Sequence, residues 1–213
     1  MNGLLSKDFL NLRSTFKMYL AFLAIFGIIF IPSGNPLAVY ILVIMFGATI
    51  PMTVLSFDAA AKWDRYALTM PVTRNEIVRT KYQIMLMLTV LGVGIATALT
   101  GIISLLSPGH LTLGIIDTAS LLLFLLITGF LIGSIVLPAA YKFGVEKARY
   151  IAIIGALGPM ILVIGLLTLV DVSQGPLDTV LLNTVLGIAA GIAAVVVWIS
   201  YRISVRIYAA QEF

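Results

Sequence analysis

The chain contains 213 residues, of which 61% are hydrophobic and 10% are charged, with a formal net charge of +4 and no cysteine. A soluble domain of this length needs far more charge to cover its surface, so the composition indicates an integral membrane protein. The lack of cysteine excludes disulfides and thiolate metal sites, and the basic residues stand at the ends of apolar runs, which is typical of membrane topology signals rather than of nucleic-acid binding.

Residues 1–17 mix four charged residues with apolar ones. The apolar residues follow one another at steps of four, three, four and three, which places them on one face of a helix: Leu5, Phe9, Leu12, Phe16 and Tyr19. This pattern predicts an amphipathic helix that lies on the membrane surface. The alternative is that the segment forms the start of the first membrane span.

Six apolar runs divide the chain, and each approaches the length of about 20 residues that a helix needs to cross a bilayer. The predicted spans cover residues 18–31, 37–57, 82–106, 118–140, 150–170 and 179–201. The first run is short and reaches the required length only if its helix begins about one turn earlier. The sequence therefore predicts an all-α integral membrane protein with six transmembrane helices in a single transmembrane domain, residues 1–213.

The basic residues are distributed asymmetrically. All 13 Lys and Arg residues precede the first span, lie in the loops 58–81 and 141–149, or follow the last span. The opposite loops, residues 31–36, 107–117 and 171–178, contain none. Because positively charged loops stay in the cytoplasm, we expect both termini and both basic loops to be cytoplasmic.

The sequence contains no motif for catalysis, cofactor binding or metal binding. It has neither a G-x-x-x-x-G-K-[ST] phosphate loop nor H-E-x-x-H, and its single histidine, His110, falls in a predicted outer loop. No Asp, Glu, Lys or Arg lies inside a predicted span, which disfavours transport coupled to protons or ions. Energy for transport would have to come from a partner on the cytoplasmic face.

The segment 58–82 concentrates eight charged residues between two uncharged runs, and we expect it to be a loop in water. Trp63, Tyr66 and Met70 are three and four residues apart, so a short helix between Asp58 and Pro71 would present an aromatic face. Three charged residues flank that face: Lys62, Asp64 and Arg65. The face could dock a partner, or its aromatics could belong to the interfacial belt common in membrane proteins.

A second helix is predicted to begin directly after this segment. Thr73 and Glu76 have the spacing of a capping box, in which each side chain bonds a free backbone N–H of the other residue. The helix should then run through Lys81 into the third span without a break. A cytoplasmic helix that is rigidly continuous with a span can transmit force from a docked partner.

Two segments resemble the signature of small ABC-2-type permeases. Residues 63–74, WDRYALTMPVTR, followed by IV at 77–78 and KY at 81–82, fit the family pattern W-x-x-Y-x-x-x-[LM]-P-[VI]-[ST]-R. Residues 138–149, with Pro138, YKFG and EK, are similar to the family's second cytoplasmic loop. The likeness extends over the whole chain in length and span number, and the phenol-soluble modulin exporter of Gram-positive bacteria has relatives of this size.

The resemblance implies the permease subunit of an ABC exporter in the plasma membrane of a bacterium. It implies a second permease copy or paralogue and two separate ABC ATPase subunits, which would hold ATP and Mg²⁺, and it implies no cofactor in this chain. The coupling residues that it suggests are Lys62, Trp63, Arg65, Tyr66, Met70, Pro71, Thr73, Arg74, Glu76, Lys142, Phe143, Glu146 and Lys147. Among them we expect Trp63 and Tyr66 to insert into the ATPase, with Lys62, Arg65 and Arg74 as a charged rim.

One feature departs from the family pattern. Larger ABC-2 permeases carry re-entrant helices between spans five and six, and the eight residues 171–178 are too few to form them.

Small and hydroxyl-bearing residues mark three of the spans. Gly129 and Gly133, like Gly187 and Gly191, have the G-x-x-x-G spacing of close helix contacts, which favours packing within the chain over a dimer seam. Three hydroxyl residues of span three could line a translocation path, although bonding to their own helix is the simpler account: Thr97, Thr100 and Ser104.

Two other functional classes stay open at this stage. One is the substrate-capture subunit of an energy-coupled vitamin importer, which is also small and six-spanned, but the short outer loops here offer few binding groups. The other is an accessory membrane protein without a transport role. For an exporter, spans with hydroxyls and no fixed charge favour an amphipathic or hydrophobic cargo.

Overall fold

The computed structural model describes residues 2–30, 37–67, 69–106, 115–155, 157–158, 161, 165 and 179–211. These residues are mostly helical and include no strand, which confirms the all-α fold class. The helices are α1 (Asn2–Phe30), α2 (Leu37–Ala60), α3 (Trp63–Ala67), α4 (Arg74–Leu106), α5 (Ile115–Phe143), α6 (Val145–Gly155) and α7 (Thr179–Ala209).

Helix α1 contains both the predicted amphipathic segment and the predicted first span. The two parts, Gly3–Arg13 and Thr15–Phe30, are bent by 54° relative to each other. Leu12 is buried and packs with Val54 of α2 and Ile84 of α4, whereas Phe9 stays exposed. The apolar stripe of the N-terminal segment therefore packs largely against the protein itself rather than lying only on a membrane surface.

The short helix in the segment 58–71 differs from the prediction in its extent. Helix α2 continues through Asp58 to Ala60, and Lys62 then takes a positive φ of 50°, which ends the helix. Helix α3 covers only Trp63–Ala67, and a turn follows in which the Met70 N–H donates to the Ala67 carbonyl over 3.1 Å.

Helix α5 lies at the centre of the bundle and packs against α2, α4, α6 and α7. One buried cluster joins α2, α4 and α5 and includes Val43, Ala96 and Val136. A second cluster, at the end of the bundle where α3 lies, includes Val78 of α4 and Tyr208 of α7. The second cluster attaches the short α3 to the long helices.

Gly129 of α5 permits a close approach to α4. A methyl group at Gly129 would lie 2.7 Å from Cγ2 of Thr89, and one at Gly133 would overlap Met85. A methyl group at Gly187 or Gly191 would meet no atom within 4 Å. Packing within the chain is thus the use of the first glycine pair, and the second pair lies on an open face of α7.

Three helices of the described chain are long and apolar enough to cross a membrane: Arg74–Ala98, Ser120–Phe143 and Asn183–Ala209. The bent α1 makes a fourth when its two parts count as one span, and α2 contributes a shorter apolar helix, Ile50–Ala60. The predicted loops 31–36 and 171–178, and most of the predicted span 150–170, lie outside the described residues. Six spans with both termini inside remain a prediction.

Candidate functional site

The start of α4 has the geometry that the capping box predicts. The Thr73 backbone N–H donates to Oε2 of Glu76 over 2.9 Å, and the Glu76 N–H donates to Oγ1 of Thr73 over 3.3 Å. Two backbone groups that a helix start leaves without partners are thereby satisfied. The helix then runs from Arg74 to Leu106 as one element, which confirms its predicted continuity with the third apolar run.

Trp63 and Tyr66 of α3 have different surroundings. Their ring centroids lie 5.4 Å apart. The Trp63 ring is half-buried, packs with the cluster around Val78, and lies 4.2 Å below Nζ of Lys7 from α1. Tyr66 is 57% exposed. Tyr66 is therefore the aromatic residue that α3 presents outward, and Trp63 holds α3 to the bundle.

The C-terminal end of α7 is bonded to α3 and to the start of α4. The Tyr208 hydroxyl donates to Oδ1 of Asp64 over 2.7 Å, although the Tyr208 side chain is almost completely buried. Nη1 of Arg74 donates to the carbonyls of Tyr208 and Gln211 over 3.2 and 3.0 Å. A cation beside the last carbonyls of a helix is electrostatically favourable. Arg74 thus serves contacts within the chain.

The same end of α7 also contacts the second basic segment, where α5 gives way to α6. The break between these helices is Gly144, whose φ of 81° favours glycine. The Tyr141 and Tyr208 rings lie 5.4 Å apart, and Nε2 of Gln211 donates to the Tyr141 carbonyl. Residues 208–211 therefore connect the two segments to which the family resemblance assigns coupling.

The structure places the predicted coupling residues at one end of the bundle, in two groups. The exposed group comprises Lys62, Arg65, Tyr66, Pro71, Thr73, Lys142, Phe143, Glu146 and Lys147. Trp63, Met70, Arg74 and Glu76 are partly buried. The coupling role of both groups stays a prediction.

The predicted path-lining residues are only partly described. Thr97 donates its hydroxyl to the Val93 carbonyl over 2.7 Å, so it bonds to its own helix as the simpler account expects. The side chains of Thr100 and Ser104 lie outside the described part of the chain. A role for these three residues in lining a path stays a prediction.

A buried ion cluster joins α1, α2 and α4. Nζ of Lys81 lies 2.7 Å from Asp8 and 2.6 Å from Asp58, and Nζ of Lys7 lies 3.0 and 2.6 Å from the same two carboxylates. The Lys81 side chain is 3% exposed and that of Asp8 is 1% exposed. We call Lys7, Asp8, Asp58 and Lys81 the ion square. Its two positive and two negative charges balance, and it fixes the N-terminal segment of α1 to the two helices that enclose α3.

The ion square corrects the expectation that the whole segment 58–82 is a loop in water. Asp58 and Lys81 stand at its two ends and are buried. Their position held a signal, because Asp58 is the first charge after the uncharged run 18–57 and Lys81 is the last before another. The pattern gives no hint that Asp8 joins them, because that contact depends on how α1 packs.

Hydroxyl groups hold α4, α5 and α7 together. Tyr82 hydrogen bonds through its hydroxyl to Ser200 and Ser204 at 2.6 and 2.9 Å, and Ser200 donates to the Ser134 carbonyl. All these hydroxyls are buried. Satisfied polar groups of this kind fix the relative position of helices in an apolar setting.

Comparison with protein families gives a match over almost the whole chain. A family model described as "ABC-2 family transporter protein" matches residues 3–209. The searches of curated proteins and of solved structures give no match.

Proposed function

The chain belongs to the ABC-2 transporter family, and on that premise we propose that it is the permease subunit of an ABC exporter, driven by two separate ATPase subunits that dock at α3. The family places the chain in a membrane and associates it with ABC ATPases in general. The direction of transport, the number of ATPases and their docking position are our proposal. ATP and Mg²⁺ would be held by the ATPases.

The observation that carries the proposal is the way α3 is fastened. Tyr66 projects from a five-residue helix whose other side is held by Trp63 under Lys7 and by Asp64 bonded to Tyr208. A displacement of α3 would therefore reach α1, α4 and α7 rather than be absorbed by a loose loop. This is the mechanical requirement for a coupling element in a transporter whose energy comes from outside the chain.

We extend the proposal to the docking surface. Tyr66 is a large aromatic residue that a partner pocket can desolvate, and such residues contribute most of the free energy of an interface. Exposed Lys62 and Arg65 beside it would steer encounter with an acidic rim. The second segment, with Lys142 and Glu146, would contact the same ATPase because residues 208–211 hold the two segments together.

Six spans with both termini in the cytoplasm complete the proposed arrangement in the plasma membrane of a bacterium. All 13 basic residues would then lie on the ATPase side. A second copy or a paralogue would complete the path, along which Thr97, Thr100 and Ser104 supply hydroxyls without fixed charge. An amphipathic or hydrophobic cargo suits such a path, because the protein needs to supply few polar groups in place of the water that the cargo loses.

Co-expression with an ABC ATPase encoded beside this chain tests the proposal. We expect a membrane complex of two permease and two ATPase subunits that hydrolyses ATP, whereas the permease alone should not. A required third membrane subunit would instead indicate an importer. Failure of any ATPase to co-purify would favour an accessory protein.

A further inference from the structure

We propose that the groove between α4 and α7 binds an anionic phospholipid at the basic end of the bundle. The groove has a volume of about 570 Å³ and opens on the outside of the chain. The inference is independent of the exporter proposal, because it concerns a lipid that stays bound to the protein. It involves neither a transported cargo nor an ATPase.

The walls of the groove suit an acyl chain and a glycerol backbone. Leu86 of α4 and Val197 of α7 provide apolar surface along its length. Trp198 and Tyr201 also line it, and Trp198 is 61% exposed. Aromatic residues that are apolar at one end and polar at the other concentrate where hydrocarbon meets the lipid headgroups.

Two arginines give the groove its charge. Arg79 lines it, and the Arg202 guanidinium lies 5.6 Å from the centroid of the Trp198 ring. Both arginines are exposed, and neither forms a salt bridge with a carboxylate in the described part of the chain. The nearest carboxylate along α4, Glu76, accepts hydrogen bonds from Thr73 and interacts with Arg79 only through a weak charge attraction, without a salt bridge. The two guanidinium groups are therefore available to an anion.

Charge and shape together select the occupant. Guanidinium groups bind phosphate oxygens in a bidentate manner. A groove with apolar and aromatic walls, one arginine in its lining and a second arginine beside Trp198 matches a phospholipid whose headgroup carries net negative charge. A zwitterionic lipid would place a positive choline beside the same arginines, and the groove should discriminate against it.

Fluorescence quenching at Trp198 tests the proposal directly. The chain has two tryptophans, so Trp63→Phe leaves Trp198 as the single reporter in the full-length protein. The variant is reconstituted in phosphatidylcholine vesicles that contain equal fractions of brominated phosphatidylglycerol or brominated phosphatidylcholine. We expect the anionic lipid to quench more, with a relative binding constant at least about fivefold higher, the contribution of one basic residue at an anionic surface.

The same measurement in charge variants locates the effect. Arg79→Gln with Arg202→Gln should bring the ratio of the two binding constants close to one. Lys147→Gln with Arg149→Gln removes two exposed charges from the start of α6 and should keep the preference. About 1 M salt should also remove the preference for the anionic lipid in the protein with both arginines intact, because salt screens the charges. This measurement tests the charge dependence even if the double arginine variant fails to fold.

Three results would overturn the proposal. Equal quenching by the two lipids would show that the groove does not select charge. An equal loss of preference in the α6 control would show a diffuse surface effect. Absence of quenching by either lipid would show that protein, such as a second copy of the chain, covers the groove.

Discussion

Lys81 and Asp58 form an ion pair, with Nζ 2.6 Å from Oδ2, although they stand at opposite ends of the charged segment 58–82. The pair closes this segment at its base, so that α3 projects from a fixed frame. Asp8 and Lys7 extend the pair to α1. The ion square thus fixes where α3 lies relative to three helices.

Removal of one member should destabilise the protein more than removal of two opposite charges. Lys81→Met leaves two buried carboxylates with one lysine, and the loss of one partner from a buried pair costs about 3–5 kcal/mol. Lys81→Met with Asp58→Leu leaves the balanced pair of Lys7 and Asp8, and most of the stability should return. Unfolding in detergent of Lys81→Met, Asp58→Leu and the double variant measures the coupling between the two sites.

Lys147→Met is the matched control, because Lys147 is exposed on α6. It should change stability by less than about 0.5 kcal/mol. A Lys81→Met variant as stable as this control would show that the ion square does not hold the helices.

The bond between Tyr208 and Asp64 should limit the motion of α3. Tyr208→Phe keeps the ring against Tyr141 and removes a hydrogen bond to a charged group, worth about 1.5 kcal/mol or more. Amide hydrogen exchange in residues 61–72 should therefore rise about tenfold. Tyr201→Phe, which removes the bond from α7 to Asn75 of α4 instead, should leave exchange in residues 61–72 unchanged. Equal effects of both substitutions would contradict the assignment.

The two glycine pairs should respond differently to alanine. Gly129→Ala places a methyl group against the buried and β-branched Thr89, whose hydroxyl is bonded to the Met85 carbonyl. The side chain cannot rotate away freely, so the cost should be about 1–3 kcal/mol. The methyl group of Gly191→Ala would contact no other atom, so this substitution should leave stability unchanged or raise it, because alanine favours the helical state. Melting temperatures of the two variants in detergent measure this difference. Equal melting temperatures would refute close packing at Gly129.

Topology can be measured with single cysteines, since the chain has none of its own. Cysteines at Ser33, Gly109 and Ser173 should react with an impermeant thiol reagent applied to intact cells. Cysteines at Thr73 and Lys147 should react only after permeabilisation. Labelling of position 73 in intact cells would reverse the proposed orientation and remove α3 from the ATPase side.

The sequence could predict those features that depend on neighbouring residues. The capping box at Thr73 and Glu76 is a local motif, and it locates the start of α4 correctly at Arg74. The apolar run 37–57 likewise predicts α2, which ends at Ala60. Local signals of this kind require no knowledge of the tertiary fold.

The remaining features depend on contacts between distant segments. Trp63 and Tyr66 are three residues apart and share one face of a helix, so their spacing does not show which ring Lys7 of α1 covers. Tyr208 lies beyond the predicted last span, yet α7 continues to Ala209 and carries that ring into the bundle. Both outcomes follow from helix packing, which a single sequence does not specify.

The most direct test of the coupling proposal is the amount of ATPase that remains bound per permease when Tyr66 is replaced by alanine. Tyr66→Ala removes the exposed ring of α3, and loss of such an interface residue costs about 2 kcal/mol or more, so retained ATPase should fall severalfold while the permease stays inserted. Phe57→Ala removes another exposed ring from the adjacent α2 and should leave ATPase retention unchanged. Full retention by Tyr66→Ala, or an equal loss in both variants, would contradict docking at α3.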